Sequence, residues 1–233
     1  MKRLTSLAIT VTLLLGMMTV ATTDTQANVS AQLLTGVLQK MESSYRGLKG
    51  LRASIVQKRV NSQIGTSDTD YGVAIYKPGD KKRLRIDYTK PDTRTLAVVG
   101  DSVTFYQPTI NQAFKGTMGK MGKGKNGYSV LLSVFTGAAG ALRTEFQTDY
   151  LRDELVNGKN TSVLRLIPRD KKQFESAEIW VSHENWLVVQ VMVTEKNRDY
   201  TLLRMDRVEM NARLGDGDFN VKLQPGTAVV DKM

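Results

Sequence analysis

The 233-residue chain carries 33 Lys and Arg against 23 Asp and Glu, a formal net charge of +10, with no cysteine and a single histidine. Without Cys no disulfide can form, and one His leaves too few donors for a zinc or thiol site. The positive balance admits nucleic acid, an anionic membrane or an acidic protein as partner, and export, argued next, removes nucleic acid.

Lys2 and Arg3 precede a stretch with no charge until Asp24, largely apolar from Leu4 to Ala21 and centred on Leu13-Leu14-Leu15. Thr25-Gln26-Ala27 then offers a small-x-small cleavage site. This layout predicts a secretory signal peptide over residues 1–27, cut after Ala27, and a single exported domain over 28–233. No Cys follows the apolar segment, so the mature chain cannot carry a lipid on an N-terminal Cys.

Leu33, Leu34, Val37, Leu38, Met41, Tyr45 and Leu48 recur at spacings of three and four, which predicts an amphipathic helix over 30–48 with Ser30 as N-cap. Beyond it the pattern changes period. Arg83-Leu84-Arg85-Ile86-Asp87-Tyr88 alternates strictly, as a strand with one wet and one buried face does. Further strands are expected at 52–59, 71–77, 95–99, 102–106, 162–167, 177–181, 188–194, 200–209 and 219–223. Turn residues such as Pro78-Gly79-Asp80 and Asn157-Gly158 separate them. Gaps this short imply antiparallel order throughout. The ladder breaks once, from Gly116 to Leu142, where a Gly-, Lys- and Met-rich half leads into an apolar half (128–135) read as a short helix. The fold class is therefore mostly β with α: one twisted antiparallel sheet lidded by two helical pieces, leaving an apolar hollow between them.

Catalytic chemistry is thin. His183 stands in a turn between Ser182 and Glu184, and no G-x-S-x-G marks a nucleophile. The run Gly119-Lys120-Met121-Gly122-Lys123-Gly124-Lys125-Asn126 fits a phosphate-cradling loop until Asn126 stands where Ser or Thr would hold Mg²⁺. It also lacks the parallel strand before it that such a loop requires. No catalytic residue, metal or cofactor is assigned.

Four segments together resemble the LolA family, periplasmic carriers that bring lipoproteins to the outer membrane. They are the helix with LKGLRASIVQKR at 48–59; Lys77-Pro78 with Arg85-Ile86-Asp87-Tyr88-Thr89-Lys90-Pro91-Asp92; the hairpin Val99-Gly100-Asp101-Ser102-Val103-Thr104-Phe105-Tyr106-Gln107-Pro108; and the end from Phe219 to Asp231. The resemblance implies an open, incomplete β-barrel with a helical lid and a cavity for acyl chains, working as a monomer without cofactor. It implies three partners: lipoprotein cargo, an inner-membrane lipoprotein-releasing ABC transporter and an outer-membrane acceptor. Leu34, Leu38, Ile55, Ile75, Leu84 and Ile86 are the expected cavity lining. Lys77 occupies the place of the family's lid-gating Arg, without its planar fork of donors. Lys115, Lys120, Lys123 and Lys125 fall within eleven residues with no acid among them, and with Lys81, Lys82 and Arg83 they suggest a docking surface for an acidic partner or anionic headgroups. The alternative is a lipid or glycolipid binder, or an envelope sensor, of the same fold.

Overall fold

The computed structural model describes residues 23–117, 139–170 and 174–231. Helix α1 spans Thr23–Gly47. Six strands follow: β1 (Leu51–Asn61), β2 (Thr66–Lys77), β3 (Arg83–Lys90), β4 (Arg94–Val99), β5 (Ser102–Gln107) and β6 (Gln112–Thr117). A short helix α2 (Ala139–Glu145) precedes β7 (Phe146–Val156), β8 (Lys159–Pro168), β9 (Ser176–Ser182), β10 (Val188–Thr194) and β11 (Tyr200–Met210). A 3-10 turn at Asp216–Phe219 and a three-residue β12 (Ala228–Val230) end the chain.

All twelve strands join one sheet in the order β12-β6-β5-β4-β3-β2-β1-β11-β10-β9-β8-β7. Two antiparallel meanders, β1–β6 and β7–β11, meet where β1 pairs with β11. The edges β12 and β7 do not pair, so the barrel stays open. Its turns follow local chemistry: Asn157 and Gly158 both take positive φ (50° and 77°), the conformation a two-residue hairpin needs. At the β2 bulge a Cβ on Gly72 would stand 2.2 Å from the carbonyl oxygen of Asp87, so only glycine fits.

The structure revises four expectations. Helix α1 starts at Thr23 rather than at an N-cap Ser30. β6, β7 and β12 add to the expected strands. β12 pairs in parallel with β6, so the sheet is not antiparallel throughout. Residues 219–223 are not a strand, because Arg85 takes the carbonyls of Asp218 and Asn220 (3.1 and 3.0 Å) that a ladder would use. The apolar piece at 128–135 and most of the lysine-rich loop lie outside the described residues.

Candidate ligand-binding face

Register sorts side chains into two faces. Leu51, Ala53 and Ile55 of β1 stand opposite Tyr76, Ala74 and Gly72 of β2. Ala74 and Tyr76 face Ile86 and Leu84, which face Leu96 and Val98, which in turn face Phe105 and Val103. Across the seam, Ile55 meets Met205, and the row continues through Leu203, Val191, Ile179 and Leu164. Paired residues share a face, so these form one continuous apolar inner surface. Each Leu or Ile buried there contributes about 1.5–3 kcal/mol.

Helix α1 lays Val37, Leu38 and Met41 on this surface, with Leu34 and Tyr45 half-buried beside them. Leu33, on the same expected stripe, is 44% exposed. The Tyr45 hydroxyl accepts the Val188 amide (3.3 Å), and Lys40 lies 4.1 Å over the Trp186 ring, fixing α1 to the β9–β10 hairpin. Burial raises the phenol pKa of Tyr45, and pushes that of Tyr76 up to about 12, so both stay neutral and the inner face carries no charge there.

Five of the six expected lining residues, Leu34, Leu38, Ile55, Leu84 and Ile86, come together in this cluster. Ile75 does not. Its register partner is Arg85, which places it on the outer face. There it lines a groove of about 590 Å³ with Val73, Arg85, Tyr106 and Val221, under the C-terminal segment.

At one end the inner face turns polar. Gln57 stands opposite Asp70, and Tyr88 opposite Arg94. The Tyr88 hydroxyl donates to Gln57 Oε1 (2.7 Å), Arg94 bonds to Asp70, and Arg59 pairs with the same carboxylate (3.0 Å). Sequence reasoning stopped at the apolar members of these strands. The signal was present, since Ala53, Ile55, Gln57 and Arg59 keep one parity, but only register shows that the polar tail of one strand meets those of its neighbours.

The family described as outer membrane lipoprotein carrier protein LolA matches residues 46–222. The chain belongs to the LolA family. LolA-family proteins are periplasmic lipid-binding carriers rather than enzymes. Among solved structures, an uncharacterised conserved protein of Thermus thermophilus is similar at 9% identity and a TM-score of 0.56, over 85% of this chain and 99% of that one. MucB of Pseudomonas aeruginosa, in complex with MucA, matches at 12% and 0.49, over 80% and 60%. The Mycobacterium tuberculosis lipoprotein LppX matches at 13% and 0.47, over 80% and 99%. No curated protein sequence matches. At such identities the likeness concerns the fold.

In this LolA-family chain Lys77 makes its contacts among the described residues away from α1. It pairs in register with Arg83 on the outer face, and its ammonium donates to the carbonyl of Leu214 (3.0 Å) and to Asp216 (2.9 Å). These contacts clasp the C-terminal segment, while the helical piece expected at 128–135 lies outside the described residues. The Lys77 hydrogen bond, with Arg83 nearby, holds the Asp216 carboxyl below its usual range. Of the docking lysines, Lys115 is exposed on β6, while Lys120, Lys123 and Lys125 lie outside the described residues. Ser162 donates to Asp153 (2.9 Å) and lies 2.9 Å from His183 Nε2, but Asp153 approaches that same nitrogen (3.6 Å). A charge-orienting relay needs the acid on the opposite ring nitrogen, so this trio is not built as a catalytic triad.

Proposed function

We propose that this chain is a carrier that shelters the acyl chains of a lipoprotein against its inner face, receives them from an inner-membrane ABC transporter and yields them to an outer-membrane acceptor. The observation that carries this reading is the apolar surface that spans the strands from Phe105 through Ile86 and Ile55 to Leu164, on a sheet left open at β7 and β12. Membership of the LolA family supports it. An open barrel can part to admit bulky chains where a closed one cannot, and transfer of this kind requires no bond to be made. Lys115 belongs to the surface that would steer docking.

The test is mass spectrometry of the protein purified natively from periplasm. Co-purified lipoprotein is expected. Free phospholipid or glycolipid alone would turn the reading to a lipid binder of the same fold, and a protein free of lipid would remove it.

A further inference from the structure

We propose that the polar end of the inner face is a head-group site, and that the preferred ligand is an amphiphile whose apolar chain carries an acidic head. This rests on the carrier reading and adds the ligand's chemistry to it.

The group comprises Gln57, Arg59, Asp70, Tyr88 and Arg94. Gln57 and Asp70 are each only 1% exposed. Tyr88 donates its hydroxyl to Gln57, and the Arg94 guanidinium lies 5.0 Å over the Tyr88 ring, so the five side chains form one connected patch. Arg94 and Arg59 converge on Asp70, whose Oδ2 meets Arg59 (3.0 Å) as an ion pair and not as a hydrogen bond, which leaves one buried acceptor without a hydrogen bond against two such donors. The donors are in surplus. Gln57 Nε2 and Arg94 Nε are buried and find no acceptor. A buried donor left unsatisfied costs about 1–3 kcal/mol, so an incoming acceptor gains what these N–H groups lack. An oxyanion answers best, because hydrogen bonds to an ionised acceptor are the strong ones. The charges agree: the half-buried Arg94 and Arg59 face the single buried carboxylate of Asp70. Asp68, opposite Arg59 in register, is exposed and therefore screened.

Position gives the second half of the argument. In β1 the inward residues run Leu51, Ala53, Ile55, Gln57, Arg59; in β3 they run Leu84, Ile86, Tyr88. Each strand passes from apolar to polar in the same direction, and the polar ends coincide. A chain lying on Ile55 and Ile86 would place its head at Gln57 and Arg94. Carboxylate, phosphate and sulfate heads share the required chemistry.

Titration calorimetry of the delipidated full-length protein with dodecanoate, dodecanol and inorganic phosphate separates the possibilities. Dodecanoate should bind at least about ten-fold tighter than dodecanol, a difference of about 1.4 kcal/mol. In Gln57→Glu, which keeps an acceptor for Tyr88 and fixes a negative charge in the patch, that preference should vanish while dodecanol binding persists. Gln57→Met, which removes the amide donors, should also lose it, and serves if the acidic variant does not fold. Equal affinity for acid and alcohol in the wild type, or a preference that survives both substitutions, overturns the head-group site and leaves the carrier reading intact. Phosphate binding as tightly as dodecanoate would mark a free-anion site and overturn the assignment to an amphiphile. Failure of both dodecyl ligands to bind would overturn the carrier reading itself.

Discussion

The two faces of the sheet arise from the same strands and the same alternation, yet they are held by different forces. The inner face is an apolar surface covered by α1, polar only at one end. The outer face, from β2 to β5, is mixed, charged at Lys77 and along β3, and the C-terminal segment is strapped across it by Lys77, Arg83, Arg85 and the Tyr106 hydroxyl. Apolar burial is non-directional and tolerates a changing occupant, whereas hydrogen bonds to particular carbonyls fix one geometry. The proposed exchange of chains would call for a face built the first way, and a strap that stays put for the second.

Substitutions on either side of the sheet test that division. Ile86→Ala, on the inner face, should cost about 2–5 kcal/mol in denaturant unfolding. Ile75→Ala, on the outer groove, should fall at or below the low end, about 2 kcal/mol, because that hollow already opens to solvent. Equal costs would erase the distinction. Lys77→Met should move the unfolding midpoint less than either, leave ligand affinity unchanged, and speed amide exchange over 214–219; altered affinity would restore Lys77 as a gate. The smallest effect should come from acid. The Asp216 carboxyl is depressed by Lys77 and Arg83, so its contribution is present above its usual value of 3.8 and disappears as pH falls through the lowered value. Below pH 3.8 the amide protection of the strap should fade while that of the inner rows persists, and added salt should blunt the difference.

The strict alternation of 83–88 was legible because one of its faces is charged at every position. Val73-Ala74-Ile75-Tyr76 was not, since a run apolar at each position fits either parity, and only pairing with β3 shows that Ile75 points outward. β7 escaped notice as an edge strand with a bulge between Tyr150 and Arg152 and acids at Asp149, Asp153 and Glu154, which blur the period. The spaced apolar residues Phe219, Val221 and Leu223 imitate a strand. Their backbone is claimed by Arg85 instead, from more than a hundred residues away, a contact no local window contains. The polar patch was hidden for the same reason: its members come from four different strands.

Leaving the barrel open exposes two strands whose outward backbone groups have no partner in the sheet, and such edges invite a second copy to add on. The two ends meet this hazard differently. β12 offers only three residues, too short a template for another strand to hold. β7 is eleven residues long, but its bulge breaks the regular repeat, and the charged Asp149, Arg152, Asp153 and Glu154 stud it. The open side of the barrel is thus bordered by strands poorly suited to stacking edge to edge, a safeguard against fibre formation written into the rim.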